Sequence, residues 1–325
     1  MKTFKKAGLI LASLVAVVLA AALLVLFLYF PNVDPAPDLK VELTPEKIKR
    51  GEYLANSVTV CMDCHSQRDW ESYAGPPKPG TLGMGGELFA REFGFPGIFY
   101  SKNITPFALK DWTDGEIYRT ITSGVNREGE ALFPVMPFHL YSRLHDDDIH
   151  SIIAYLRTLP PIENTVPERT VDFPFNLILR TLPIRKSPVG RIPPKSDPVT
   201  YGAYMTTAAG CIECHTPVKD GQLVENQVFS GGREFAMPGG TLISPNITPD
   251  ETGLGHWTAD QFVQTFKQYQ DSTWKSPRLT VNDPNTLMPW IMYSHMEEDD
   301  LRAIFAYLQT LPPVSRTVQK FSGEK

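Results

Sequence analysis

The sequence predicts an all-α fold of two tandem domains, each made of short helices and long loops, behind an N-terminal transmembrane helix. Three observations predict it. An uninterrupted apolar run occupies residues 7–30. The remaining chain repeats its motifs at an offset of about 150 residues. Each copy places its apolar residues at helical spacing and shows no strand pattern.

The apolar run is long enough for a helix that crosses the hydrocarbon core of a bilayer. Three lysines within residues 2–6 precede it and favour a cytoplasmic N-terminus. A cleaved signal peptide is the alternative, because residues 20–22 are all alanine, but the apolar run continues beyond them. We therefore expect a cytoplasmic tip and retained anchor in residues 1–30, followed by a linker in residues 31–43.

The composition is that of globular protein, with 42% hydrophobic and 21% charged residues, which argues against disorder. The formal net charge is -5, and charged residues are spread along the chain without blocks. Nucleic acid is therefore not an expected partner. An acidic surface suits docking to a basic patch on a redox partner, and it equally suits ordinary solubility.

The repeat defines two predicted domains, residues 44–160 and 197–314. Between them, residues 161–196 are rich in proline and basic residues, as in a linker, although the apolar residues 173–184 favour a short packed helix. Residues 315–325 form a tail. The matching segments, first copy against second, are 50–53 with 201–204, 103–106 with 246–249, 112–113 with 257–258, and 154–156 with 306–308.

Each copy is predicted to contain an opening, a middle and a last helix. Thr44 and Asp197 precede proline, a typical start of an opening helix. Thr113 and Thr258 begin capping-box patterns for the middle helices. The last helix of each copy opens with a run of acids, which favour the positive end of its dipole, and a pair of prolines ends it.

All four cysteines lie in two Cys-x-x-Cys-His motifs. Two thiols one helical turn apart suit the two vinyl groups of one haem, and the adjacent imidazole suits its iron. Disulfides or zinc are the alternatives, but a zinc site would need further repeated ligands, which the sequence lacks. We therefore predict two covalently bound haem c groups. The residues that hold them are Cys61, Cys64, His65, Cys211, Cys214 and His215.

Comparison of the two copies also predicts the sixth iron ligand. Met136 and Met288 lie at the same distance before a shared Ala-Tyr-Leu segment, and each precedes a proline that sets its thioether on a loop. Met237 also precedes proline, but its counterpart in the first copy is phenylalanine. Flexible core filling is the alternative role for the pair. The predicted iron ligands are therefore His65, Met136, His215 and Met288.

The order of these motifs, from Cys-x-x-Cys-His through Asn-Ile-Thr-Pro, Trp-Thr and Met-Pro to Ala-Tyr-Leu-x-Thr-Leu-Pro-Pro, resembles the class I, mitochondrial-type cytochrome c fold. More narrowly, the chain resembles the cytochrome c subunits of bacterial membrane-bound alcohol and sugar-acid dehydrogenases. Those subunits often carry three haem motifs, whereas this chain has two. The resemblance covers about residues 44–313. It implies the bacterial cytoplasmic membrane as the location, with the haem domains on the outer, periplasmic side.

The resemblance also implies that the first and last helices of each copy cross at a glycine, with Gly51 against Tyr155 and Gly202 against Tyr307. It further suggests that Asn103 and Asn246 hydrogen-bond the haem propionates. Turn formation explains these Asn-x-Thr-Pro segments equally well.

Together these features predict an electron carrier and not an enzyme. A methionine ligand raises the potential and fills the position where oxygen or peroxide would bind. A dihaem peroxidase or thiosulfate-oxidising cytochrome is the alternative, because His139 and His295 lie close to the predicted methionines in one copy each. The expected partners are a dehydrogenase or quinol-oxidising complex as donor, and an oxidase or soluble cytochrome as acceptor.

Overall fold

The computed structural model describes residues 2–271, 274–280 and 283–323, and this part of the chain is mostly helical. Met1 and residues 324–325 of the predicted tail lie outside the described residues. The helices in chain order are α1 (Lys2–Tyr29), α2 (Pro45–Tyr53), α3 (Cys61–Cys64), α4 (Pro106–Leu109), α5 (Asp114–Ser123), α6 (Phe138–Tyr141), α7 (Asp146–Thr158), α8 (Phe175–Ile178), α9 (Pro198–Ala208), α10 (Cys211–His215), α11 (Ala259–Lys267), α12 (Trp290–Tyr293) and α13 (Glu298–Leu308). A π-helical turn, Leu54–Val58, extends α2.

Short strands interrupt the loops, so the prediction of a purely α-helical fold is wrong in this respect. No strand in the described residues exceeds four residues, and an alternating apolar pattern cannot develop over so few. The strands are β1 (Leu88–Phe89), β2 (Gly97–Tyr100), β3 (Thr170–Val171), β4 (Val218–Lys219), β5 (Gln222–Leu223), β6 (Glu234–Met237), β7 (Gly240–Ile243) and β8 (Phe321–Gly323). All pairs are antiparallel, in the orders β1-β2-β3, β4-β5 and β6-β7-β8.

The opening and last helices of each repeat cross at a glycine, as the resemblance to class I cytochromes c implies. A Cβ atom on Gly51 of α2 would lie 1.8 Å from the carbonyl oxygen of Ser151 in α7. A Cβ atom on Gly202 of α9 would lie 1.9 Å from the carbonyl oxygen of Ala303 in α13. Each helix pair therefore packs backbone against backbone, which a side chain would prevent. Fully buried apolar side chains surround the crossings: Leu54, Ile149, Ile153, Met205, Leu301 and Leu308.

The predicted helix starts are present. The side chains of Thr44 and Asp197 each accept a backbone N–H from the first turn of α2 and α9. Capping boxes at Thr113 and Thr258 begin α5 and α11. These side chains satisfy amides that have no partner within the helix, so local sequence alone sets where these four helices begin.

Reciprocal tyrosine–aspartate hydrogen bonds join the two repeats. Tyr53 Oη donates to Asp300 at 2.7 Å, and Tyr204 Oη donates to Asp148 at 2.6 Å. The two tyrosines are equivalent in the repeat, and the two aspartates both lie in the first turn of the last helix. Asp148 is 2% exposed and Asp300 is completely buried. In each repeat, therefore, the equivalent tyrosine donates to the equivalent aspartate of the other repeat.

A cation completes the surroundings of each buried carboxylate. Arg50 lies 2.8 Å from Asp148, and Lys195 lies 2.7 Å from Asp300. These contacts offset part of the cost of removing a carboxylate from water. Burial, reinforced by the neighbouring carboxylates, raises the pKa of Tyr53 and Tyr204, so both hydroxyls stay protonated as donors.

Helix α1 is apolar and exposed along its length. Phe4–Tyr29 contains a window with a mean hydropathy of 3.1, of which 0% is buried. In the described chain it is the one helix long and apolar enough to cross a membrane, and a signal sequence would satisfy the same criterion.

The segment between the repeats is attached to the first repeat. Strand β3 pairs with β2, with Thr170 opposite Ile98. The ring of Phe175 in α8 lies 5.7 Å from that of Phe133, and Leu179 is 3% exposed. The short helix expected in this apolar stretch is present, and it packs against the fold.

Tyr204→Phe is expected to lower the free energy of unfolding by about 1–3 kcal/mol, because the buried Asp148 carboxylate loses a hydrogen-bond donor. The measurement is chemical denaturation of the full chain in detergent, followed by circular dichroism.

The matched control is Tyr118→Phe, which removes a hydrogen bond of 2.7 Å to Asp146 at the surface of the first repeat. Water can replace that bond, so we expect a loss below about 1 kcal/mol. Equal losses in the two variants would contradict a special role for the buried contact between the repeats.

Candidate haem sites

Each Cys-x-x-Cys-His motif begins a short helix that follows a left-handed residue. Val60, with φ 45°, precedes α3, and Gly210, with φ 67°, precedes α10. Glycine adopts this conformation at little cost, whereas a β-branched residue is strained in it. No sequence pattern marks Val60, because its strain depends on a backbone angle. In both motifs the helical turn brings the two cysteines onto one face.

The four cysteines are free thiols and form no disulfide. Burial raises the pKa of Cys64 and Cys211 to about 12, which keeps these thiols protonated at neutral pH. Among the residues that the structure describes, no three His, Cys, Asp or Glu side chains converge as a metal-ion site.

The two motif histidines have the same orientation. His65 Nδ1 lies 2.7 Å from the carbonyl oxygen of Lys102, and His215 Nδ1 lies 2.9 Å from that of Pro245. A ring that donates its Nδ1–H to a carbonyl presents Nε2 as the iron-binding nitrogen. Burial lowers the pKa of both histidines and favours the neutral imidazole.

The carbonyls that receive these histidines immediately precede Asn103 and Asn246. Asn103 Oδ1 accepts from the backbone and hydroxyl of Thr105, and Asn246 Oδ1 accepts from the same groups of Thr248. Asn103 Nδ2 donates to the Ile162 carbonyl at 2.9 Å. Both asparagines are buried, and their contacts support the turn role rather than the suggested propionate contact.

The predicted methionines occupy equivalent turns. Met136 and Met288 are half-buried and pack against the apolar core. The Met136 carbonyl accepts the N–H of Phe138 at 2.8 Å, and the Met288 carbonyl accepts that of Trp290 at 2.7 Å. A proline lies inside each of these turns, and a four-residue helix follows.

The helix after each methionine is hydrogen-bonded to the haem motif of its own repeat. Tyr141 Oη donates to the carbonyl of Thr59 at 2.9 Å, and Tyr293 Oη donates to that of Ala209 at 2.5 Å. Thr59 and Ala209 each lie two residues before the first cysteine of a motif. The fold therefore brings each methionine loop to one Cys-x-x-Cys-His motif, in the same way in both repeats.

The acidic residue inside each motif has different surroundings in the two repeats. Asp63 forms an ion pair with Arg68 at 3.0 Å, and both side chains are buried. Burial, opposed by Arg68, raises the pKa of Asp63 to about 6. Burial alone would raise the pKa of Glu213 as well, but a 2.8 Å contact with His139 Nε2 and the charge of Arg233 leave it lowered.

The two histidines left open by the sequence have separate partners. His139, three residues after Met136, reaches across to Glu213 in the motif of the second repeat. His295 Nδ1 lies 2.9 Å from the carbonyl oxygen of Ile291, within its own repeat.

A loop of the second repeat docks on the first, which the sequence analysis did not predict. Tyr73 N–H donates to the Pro277 carbonyl at 2.9 Å, Arg278 pairs with Asp69 at 2.7 Å, and Asn285 Oδ1 accepts the N–H of Ala74 at 2.9 Å. The feature of the sequence that could have indicated this docking is the length of the loop. Between the middle helix and the helix after the methionine there are 22 residues in the second repeat, against 14 in the first. We call residues 274–280 and 283–287 the docked loop; it leads directly to Met288.

Comparison with known proteins identifies the family of the second repeat and several relatives of the chain. Residues 199–312 match the Cytochrome c family model. The cytochrome c subunit of the quinone-dependent alcohol dehydrogenase of Gluconobacter oxydans (strain 621H) is 30% identical over 288 residues, which is 82% of this chain and 55% of that subunit. The cytochrome subunit of fructose dehydrogenase from Gluconobacter japonicus is 29% identical over 290 residues, which is 84% of this chain and 54% of that subunit.

A third relative has a similar length. The dihaem cytochrome c-type protein of Cereibacter sphaeroides is 28% identical over 312 residues, which is 92% of this chain and 97% of that protein. By contrast, the chain spans about half the length of the dehydrogenase subunits that it matches. Residues 199–312 are therefore a cytochrome c domain, in a chain similar to the cytochrome subunits of alcohol and fructose dehydrogenases and to a dihaem cytochrome c.

Proposed function

We propose that the chain is an electron carrier that binds two haem c groups covalently. One group is held by Cys61, Cys64 and His65, and the other by Cys211, Cys214 and His215. The observation that carries the proposal is the equivalence of the two sites: free thiols one helical turn apart, beside a neutral histidine whose Nδ1 is bonded to the same turn. This donor set fits haem c, which supplies a one-electron couple when bound.

Met136 and Met288 are the proposed sixth ligands. Their support is the identical turn in both repeats and the hydrogen bond from the following helix to the haem motif. A thioether from each loop would keep oxygen and peroxide away from the iron. The two methionines therefore favour a carrier over a peroxidase or thiosulfate-oxidising enzyme. The hydrogen bonds of His139 and His295 to other groups point the same way, because an acid-base residue must be available to the substrate.

The proposed organisation is two tandem cytochrome c domains, residues 44–160 and 197–314, joined by residues 161–196. Its support is that each range contains the same helix crossing, asparagine turn and methionine loop. The reciprocal tyrosine contacts would then hold the two domains in one orientation.

Helix α1 is the proposed membrane anchor, in the bacterial cytoplasmic membrane. The lysines at its N-terminal end favour a cytoplasmic N-terminus, which would put both haem domains on the outer side. The names of two relatives, subunits of an alcohol and of a fructose dehydrogenase, support a dehydrogenase as electron donor. A quinol-oxidising complex is the other candidate donor, and an oxidase or soluble cytochrome is the expected acceptor.

Haem content tests the number of sites. We expect two haems per wild-type chain, one after replacement of both cysteines of either motif by serine, and none after replacement of all four. The measurement is the pyridine haemochrome spectrum together with the mass of the intact chain. A wild-type chain that carries one haem would contradict the proposal.

The sixth ligands are tested by the weak red band that a methionine sulfur gives with ferric haem iron. Met136→Ala and Met288→Ala should each remove about half of the band, because each deletes one of two equivalent ligands. Each should also make one haem per chain able to bind carbon monoxide.

Met237→Ala is the matched control, because Met237 also precedes a proline but lies in β6 and has no methionine counterpart. It should leave the band unchanged. If Met288→Ala behaves like this control, the ligand assignment at the second site is wrong.

Asn285→Ala should loosen the docked loop, since its side chain accepts from Ala74 and donates to the carbonyls of Trp70 and Ser72. We expect a loss of about 1–3 kcal/mol in the free energy of unfolding and partial carbon monoxide binding at the second haem only.

The control is Asn126→Ala in the corresponding loop of the first repeat, where Asn126 Oδ1 accepts the Glu130 N–H at 2.7 Å. That loop closes on itself through a bridge between Val125 and Ala131. The control should leave the second haem unaffected. Carbon monoxide binding at the second haem in both variants would disprove a specific role for the docked loop.

A further inference from the structure

Two large apolar side chains are exposed in the segment between the repeats. Phe173 is 80% exposed and Ile178 is 47% exposed. Outside α1, Phe173 is the most exposed large apolar side chain in the described part of the chain. Neighbouring residues of the same segment are packed, as Leu179 at 3% exposure shows. Phe173 and Ile178 therefore project from an ordered support.

The same segment is bonded to the end of α1. Arg180 donates to the carbonyl oxygen of Phe30 at 2.6 Å, and its guanidinium lies 4.9 Å from the centroid of the Phe27 ring. Arg185 donates to Asn32 Oδ1 at 3.0 Å. A guanidinium at the last carbonyls of a helix both caps it and complements its dipole. Residues 173–185, which we call the juxtamembrane segment, thus lie beside the point where α1 would leave the bilayer.

The juxtamembrane segment is also attached to the first repeat. Asp172, just before it, forms an ion pair with Arg91, and Ile184 N–H donates to the Ser123 carbonyl at 3.2 Å. Together with the pairing of β3 on β2, these contacts fix the first repeat relative to the end of α1. A free tether would make no such contacts.

The juxtamembrane segment carries positive charge, whereas the formal net charge of the chain is -5. Residues 173–185 include Arg180 and Arg185 and no acidic residue. The side chain of Arg185 is 62% exposed and lies 3.9 Å from the exposed carboxylate of Asp34. Apolar side chains next to exposed cations are the combination that binds the headgroup region of an anionic bilayer.

We propose that the juxtamembrane segment lies in the membrane interface, with Phe173 and Ile178 at the boundary between lipid headgroups and acyl chains and the Arg185 guanidinium near lipid phosphates. The partner is a bilayer that contains anionic phospholipid. This inference rests on the proposed role of α1 as an anchor and goes beyond it, because it gives the first repeat one fixed orientation against the membrane. The contacts of Arg180 with α1 transmit that orientation.

The test uses the full haem-loaded chain in nanodiscs of phosphatidylcholine and phosphatidylglycerol. All native cysteines are expected to be bound to haem, so an introduced cysteine is the single site for a nitroxide label. The labelled variants are Phe173→Cys, Ile178→Cys, Leu19→Cys in the middle of α1, and Val218→Cys as an exposed apolar control in the second repeat, 41% exposed. Power saturation with oxygen, which enters lipid, and with a nickel chelate, which stays in water, reports the depth of each label.

We expect the ratio of oxygen to nickel accessibility to be highest at position 19 and lowest at position 218. At positions 173 and 178 the ratio should be several-fold higher than at position 218. A water-exposed label at position 19 would overturn the anchor itself. If the label at position 19 lies in lipid but the accessibility ratios at positions 173 and 178 equal that at position 218, this inference alone is overturned. The same result is expected if a protein partner, and not the bilayer, covers Phe173 in the cell. Unchanged haem content in every variant shows that the labelled chains are folded.

Discussion

The buried carboxylates of Asp148 and Asp300 each connect the two repeats, and both proposed haem sites depend on how the repeats pack. Each lies in the first turn of a last helix that crosses the opening helix of its repeat at a glycine. Each also accepts the hydroxyl of a tyrosine from the other repeat. A carboxylate is tolerated in such a position only with all its partners in place. Packing within a repeat and docking between repeats are therefore coupled.

The histidine orientation depends on the same framework. Asn103 and Asn246 donate to carbonyls in the chain just after the last helix, at Ile162 and Val314. Their turns in turn hold the carbonyls that receive His65 and His215. One series of hydrogen bonds thus connects the end of the last helix, the asparagine turn and the histidine ring. It is the same in both repeats. Such outer contacts fix which ring nitrogen faces a metal.

The departures from this symmetry make the two sites inequivalent. Asp63 pairs with Arg68 inside one repeat, whereas Glu213 is bound by His139 from the other. The docked loop makes the position of Met288 depend on the first repeat, while the loop before Met136 closes on itself. Nearby charge and hydrogen bonding influence the potential of a haem iron, so these differences would give the two proposed haems different potentials.

Residue type and spacing predicted the apolar helix, the helix starts at Thr44, Thr113, Asp197 and Thr258, and the two Cys-x-x-Cys-His motifs. The glycine crossings were implied by the resemblance to class I cytochromes c, and the structure contains them. Repetition pointed to Met136 and Met288, whose role as ligands is still a prediction. The short strands were missed because two to four residues carry no periodic pattern. The tyrosine exchange, the contact of His139 with Glu213, the docked loop and the attachment of α1 through Arg180 were decided only by the tertiary structure. Each of these joins residues far apart in the chain, and local propensity and spacing carry no information about such partners.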